Sequence, residues 1–142
     1  MERVAKQVIV MRTKFKDGKT IRKGKMIAQG AHASLAAVLR HSKGDQDSIT
    51  IYLDEEDSAI RSWLRGRFTK ICVQASATTS EEQEKEIIGL IEAAKEKGIP
   101  CYALITDAGL TEFNGEPTIT CCAIGPAWSN EIDELTGKLG LL

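Results

Sequence analysis

The sequence predicts a three-layer α/β sandwich formed by a single domain, with about four mostly parallel or mixed strands and helices on both faces. Three observations lead there. A length of 142 residues suits one hydrophobic core and is short for two domains. The opening run carries Val8, Ile9, Val10 and Met11 in succession, as a strand buried on both faces does. Residues 69–106 then alternate strand, helix and strand with short connections, the pattern of a right-handed βαβ unit with parallel strands.

Taken in order, residues 4–11 form the first strand and Asp17-Gly18 marks a turn. From Lys23 the pattern is helical, and Ile27, Ala31, Leu35 and Val38 form one stripe expected to face the core. Gly30, Ala33 and Ala37, on the flank, are small enough for another element to approach closely. This helix is expected to end between residues 41 and 44, followed by a short strand at 48–52 and a helix capped from Asp54 over residues 58–64. Residues 69–75 read as a strand, 80–97 as an amphipathic helix and 101–106 as a third strand. Ser80 and Gln83 have capping-box spacing, Glu81, Glu82 and Glu84 load the first turn, and Lys95, Lys97 and Gly98 close the helix before Pro100. Residues 118–124 supply a further strand after a turn at Gly115, and residues 129–139 a terminal turn or helix.

The net charge of −1 conceals a split. Residues 1–80 hold 15 Lys and Arg against 8 Asp and Glu, whereas residues 81–142 hold 4 against 12. Arg12, Lys14, Lys16, Lys19, Arg22, Lys23 and Lys25 concentrate 7 of the 19 basic residues ahead of a helix, where cations add to the positive end of the helix dipole and suit a phosphate. A solvated loop is the competing reading. Cys72, Cys101, Cys121 and Cys122 form no C-x-x-C pair and have no histidine at ligand spacing, so they read as buried free thiols of a reducing cytoplasm. Lys6 and Arg12 interrupt the opening apolar run and no stretch reaches the length of a membrane span, which predicts a soluble, cytoplasmic chain away from membranes.

Two nucleotide-binding fingerprints are excluded. Between Gly18 and Gly24 there is one residue too many for a P-loop, Met26 stands where its Ser or Thr would hold magnesium, and no G-x-G-x-x-G follows a strand. On the first helix, Lys25, Gln29 and His32 fall within a narrow band at 100° per residue, which aligns an ammonium, an amide and an imidazole. Asp107 ends the third strand, where open α/β sheets bind ligands, although Asp107-Ala108-Gly109 also suits a simple turn. Thr118 and Thr120 share a strand face, and Thr120 is a candidate hydroxyl donor.

These residues carry a resemblance. The run Lys23-Gly24-Lys25-Met26-Ile27-Ala28-Gln29-Gly30-Ala31-His32-Ala33 resembles the K-G-K-x-A-A-Q-C-A-H-A helix of the archaeal/eukaryotic-type peptidyl-tRNA hydrolases. Asp107-Ala108-Gly109-Leu110-Thr111 resembles that family's D-A-G-R-T, residues 120–126 its T-V-L-G-I-G-P, and Thr136-Gly137-Lys138-Leu139 its closing T-G-H-L. The resemblance implies one hydrolase domain over residues 1–142, cleaving the ester that joins a peptide or an N-blocked aminoacyl group to the 3′ end of tRNA. It also implies no metal or organic cofactor and a homodimeric assembly.

Carried over position by position, the resemblance implies catalytic residues Lys25, His32, Asp107, Thr111 and Thr120, with Gln29, Lys23, Lys19, Arg22 and Lys16 supporting them or holding substrate. Thr118 is an alternative to Thr120, because the loop after Thr111 is one residue longer than the family pattern. Asp107 is expected to orient or activate water, alone or with His32, while Lys25 and the threonine hydroxyls stabilise the oxyanion or the tRNA end. Gln74 stands in place of the second lysine of the family's K-V-V-V-K strand, and Leu110 and Glu112 replace the Arg and Gln of D-A-G-R-T-Q. Two cations beside the expected site are thereby lost, which weakens phosphate attraction, and the cation-rich loop from Lys14 to Arg22 could supply some of it. A non-catalytic RNA- or protein-binding module, or a hydrolase of another acyl ester or amide, stands as the alternative on the same fold.

Overall fold

Period-two alternation along the first strand divides the molecule into its layers. The computed structural model describes residues 3–109 and 113–142. In chain order it contains β1 (Ala5–Met11), a 3-10 turn (Lys16–Gly18), α1 (Lys23–Leu39), β2 (Ser42–Gly44), β3 (Ile49–Ile51), α2 (Ala59–Leu64), β4 (Lys70–Gln74), α3 (Ser80–Glu96), β5 (Tyr102–Asp107), β6 (Thr118–Trp128) and α4 (Ser129–Thr136). Val8 and Val10 of β1 pack with Ile87, Ala94 and Ile132 of α3 and α4, whereas Ile9 and Met11 pack with Ala33 and Ala37 of α1. Trp63 of α2 joins Ala5 and Val38 on the α1 side.

The four-stranded sheet has the order β4-β1-β6-β5. β1 and β4 are parallel, and β6 is antiparallel to both β1 and β5, so β5 runs parallel to β1. The expected parallel pair flanking α3 is therefore present, but its strands occupy opposite edges with β1 and β6 between them. β2 and β3 form a separate hairpin, of which only the second strand is expected from the sequence. Asp45 closes its loop by accepting from the Asp47 and Ser48 N–H groups at 2.8 and 3.0 Å, and His41 at its base meets Asp54 at 2.7 Å.

Three expectations are corrected. The stripe of α1 does not face the core as a whole: Val38 is buried, but Ile27 is 74% and Leu35 60% exposed, and Ala31 is exposed too. The helix instead lies over β5, β6 and β1 with Gln29, Gly30, Ala33 and Ala37 against the sheet, because small side chains permit the closest approach. Its bulky stripe projects beside a floor of Ile9, Met11 and Cys72 and leaves an open apolar groove of about 710 Å³, walled also by Trp63 and Phe68. Second, the cap of α3 is Thr79, whose hydroxyl accepts from the Glu82 N–H at 3.2 Å, and the cap of α2 is Ser58 rather than Asp54. Third, Arg12 does not belong to a phosphate-binding surface. It is 4% exposed and donates to the carbonyls of Lys14, Ile119 and Ser80 and to the Ser80 hydroxyl, which also explains why Ser80 does not serve as a cap.

The free edge of β4 is covered by the segment 140–142. The Gln74 N–H donates to Gly140 O at 2.9 Å, the Leu142 N–H to Cys72 O at 3.1 Å, and Leu141 sits opposite Val73. Gln74 adds a side-chain bond to Leu141 O at 3.0 Å. It thus occupies the sheet edge opposite β5, about 14 Å away by three strand spacings, and its replacement of a lysine is remote from Asp107.

Candidate active site

Asp107 is the last residue of β5, and the chain leaves the sheet there through Gly109, whose φ of +80° suits glycine. The Gly109 N–H turns back to Asp107 Oδ2 at 2.9 Å, an Asx-type turn. The other carboxylate oxygen faces the first turns of α1. Lys25 Nζ donates to Oδ1 at 2.7 Å, and Gln29 Nε2, one helical turn on, lies 3.4 Å from the same oxygen. The Lys25 and Asp107 side chains are 18% and 13% exposed, so this ion pair is largely withdrawn from bulk solvent yet still reachable. The hydrogen bond from Lys25, opposed by burial and aided by the Gly109 N–H, holds the Asp107 carboxyl below the usual carboxylate range. At neutral pH the group is an anion beside an ammonium.

A β-bulge brings in Thr120. Ile105 pairs with Cys121 and Thr106 with Ile119, which leaves Thr120 as the extra residue between them. Its hydroxyl donates to Gln29 Oε1 at 2.5 Å, and the neighbouring Cys121 thiol donates to the Gln29 carbonyl at 3.4 Å. Thr118, the alternative, donates its hydroxyl to Glu116 O at 2.9 Å and takes no part in this network. Lys25, Gln29, Asp107 and Thr120 thus converge from α1, β5 and β6.

The remaining expected residues are distributed around this centre. The His32 side chain is exposed on α1 and makes no hydrogen bond among the described residues. Thr111 lies outside the described residues, as do Leu110 and Glu112. Lys16 and Lys19 line a polar cleft of about 420 Å³ adjoining the end of β5, where the carboxylates of Asp17, Glu84 and Glu116 accompany them. Lys16 is 3.9 Å from Glu116, and Arg22 and Lys23 are exposed at the start of α1. Among the described residues, no three His, Cys, Asp or Glu side chains are gathered as a metal would require.

One structural residue carries a role that the sequence does not announce. Gln83, 1% exposed, accepts from the Thr13 and Lys14 N–H groups at 2.9 Å each and donates to Ala77 O at 2.9 Å, so together with Arg12 it fixes the root of the basic loop. A buried polar residue on the apolar face of an amphipathic helix is the signal that points to such a role. Cys101, Cys121 and Cys122 are buried free thiols as expected, burial pushing Cys101 and Cys121 up to about 12 and raising Cys122 too, whereas Cys72 is only half-buried and borders the apolar groove, its thiol raised by that partial burial.

The chain is similar to known proteins over nearly its whole length. The family model described as peptidyl-tRNA hydrolase PTH2 matches residues 5–142. The chain is 39% identical over 138 residues to a peptidyl-tRNA hydrolase of Methanopyrus kandleri, covering 96% of this chain and 97% of that protein. It is 36% identical over 138 residues to one of Methanocaldococcus jannaschii, covering 96% and 99%, and 39% identical over 140 residues to one of Haloquadratum walsbyi, covering 96% and 98%. With the match extending over nearly the whole chain and the motif residues Lys25, Gln29, Asp107 and Thr120 meeting in one place, this chain belongs to the PTH2 family of peptidyl-tRNA hydrolases.

Proposed function

We propose that this protein hydrolyses the ester between a peptide, or an N-blocked aminoacyl group, and the 3′ end of tRNA. The observation that carries the reading is the 2.7 Å Lys25–Asp107 pair at the end of β5, beside a cleft bearing Lys16 and Lys19. Asp107 accepts a hydrogen bond from the attacking water and orients it toward the ester carbonyl. A carboxyl held below its usual range is a weak base, so orientation outweighs proton removal in its role. Lys25 stabilises the negative charge that develops on the carbonyl oxygen. The C–O bond to the ribose then breaks, and the 3′ oxygen departs with the proton lost by the water. Products are a free acid and a tRNA with its 3′ hydroxyl restored. Lys16, Lys19, Arg22 and Lys23 attract the tRNA phosphates. Such an activity belongs with translation in the cytoplasm.

Turnover of an N-acetylated aminoacyl-tRNA by the purified protein tests this reading. Lys25→Met and Asp107→Asn are each expected to lower kcat/KM by about 10²-fold or more. Tight tRNA binding with no release of tRNA, under conditions where an archaeal relative turns over the same substrate, would instead identify a non-catalytic module.

The groove over Ile9, Met11 and Cys72 supports a homodimer. Ile27, Leu35, Phe68 and Leu142 are each about half exposed or more around one apolar floor, more than scattered surface hydrophobics explain. A second copy would bury both grooves against each other. Light scattering should then give about 31 kDa, twice the 15.5 kDa of one chain, and Leu35→Asp should reduce it to the single-chain mass. A wild-type protein of single-chain mass at micromolar concentration would refute the dimer.

A further inference from the structure

The direction of the hydrogen bonds around Gln29 is determined by chemistry. Asp107 is ionised and can only accept, so the NH₂ end of the Gln29 amide must face it. The amide oxygen then faces Thr120, and the Thr120 hydroxyl must donate to it. A hydroxyl has one proton, and this one is committed. Thr120 is also 0% exposed, so no substrate oxygen reaches its hydroxyl in this arrangement.

From this geometry we infer that Thr120 is a positioning residue: the bulge aims its hydroxyl at Gln29, and Gln29 in turn holds the reactive rotamer of Asp107. This rests on the proposed hydrolase activity, in which Asp107 orients the water. It replaces the expectation that the threonine hydroxyl stabilises the oxyanion. The Cys121 thiol donates to the Gln29 carbonyl at 3.4 Å, so two successive residues of β6 hold one residue of α1, one by its side chain and one by its backbone. The bulge is what lets both point the same way. Among the described residues, Lys25 is the charged group meeting Asp107 beside Gln29.

A double-mutant cycle separates positioning from direct donation. Thr120→Val is expected to lower kcat about tenfold, the scale of one hydrogen bond, with KM little changed, and Thr120→Ser to restore it. Gln29→Leu is expected to lower kcat by a similar or larger factor, and the double variant to be no worse than Gln29→Leu alone. Effects that multiply in the double variant would mean that Thr120 acts on substrate directly, and would overturn the inference. A second readout needs no substrate: the carboxyl carbon of Asp107, followed by NMR titration, should shift to a higher pKa in both Thr120→Val and Gln29→Leu. An unchanged titration in folded Thr120→Val would also overturn it, and if that variant does not fold, Gln29→Leu and Thr120→Ser carry the same comparison. Absence of turnover in the wild-type protein would refute the hydrolase reading alone, because the titration still decides whether Thr120 holds Asp107 through Gln29.

Discussion

At Asp107 the Lys25 ammonium and the Gly109 N–H bond the two carboxylate oxygens, and this sets how the site responds to acid. Its folded-state pKa lies below the unfolded value of about 3.9, so the stabilisation it contributes is complete above that value and disappears as pH falls through the folded pKa. Glu86 behaves alike. Burial pushes its pKa up, but bonds from the Ser76 hydroxyl and the Ala77 and Ser76 N–H groups outweigh this and hold it below the usual range. Acid unfolding followed by circular dichroism should therefore begin below about pH 4, and Glu86→Gln should lower stability at pH 7 by no more than about 1 kcal/mol, since solvent screens this largely exposed carboxylate, while making it less dependent on pH in that range. Residue identities are the most legible part of the site. Lys25, Gln29 and Asp107 follow from helical spacing, a strand end and a motif. The central place of Gln29 does not, since an amide with one partner on each side is recognisable only when both partners are known. Arg12 misleads for the opposite reason: a guanidinium in a basic run resembles its neighbours until its buried carbonyl partners are seen.

Elements explain why these residues meet. Helix spacing places Lys25 and Gln29 one turn apart, while an irregular strand supplies Thr120, and no periodicity in the sequence announces a bulge. The same limit hides the buried face of α1. Its hydrophobic stripe is legible as a stripe, but helix-to-sheet distance is governed by the smallest face, here Gly30, Ala33 and Ala37. Gly109 is the element-scale test of the site. A Cβ there would lie 2.3 Å from Glu116 O, and a side chain at its φ of +80° is strained in addition. Gly109→Ala should displace the turn, remove the N–H from Asp107 Oδ2 and reduce kcat/KM at least tenfold, and should lower Tm as well, because Gly109 is buried and its turn leads to Phe113 in the α1-side core. Steady-state kinetics and a thermal melt on the same preparation check both halves.

Over the whole molecule the acidic helices α3 and α4 cover one face, and α1, whose start carries Arg22, Lys23 and Lys25, covers the other, while the basic loop before it is rooted against the first turn of α3. A polyanion is therefore expected on the α1 side despite a net charge of −1. tRNA affinity should fall steeply with salt, and replacing Lys16 and Lys19 by Ala should flatten the log–log slope by about 0.7–0.9 for each phosphate no longer neutralised. An unchanged slope in a filter-binding titration would mark the loop as mere solvated surface. Layer order and the single domain are legible because alternation and amphipathicity are written locally. Strand order is not, because β4 and β5 lie at opposite edges although only one helix separates them in the chain. The segment 140–142 along β4 has a further consequence. By occupying the backbone groups of Val73 and its neighbours, it acts as a built-in terminator on the β4 side of the sheet, closing that one of its two edges to another protein's strand. Strand addition along β4 is thereby blocked, so the proposed pairing of two copies over the adjacent apolar groove, which Leu142 helps to line, would rest on side-chain packing rather than on a shared sheet.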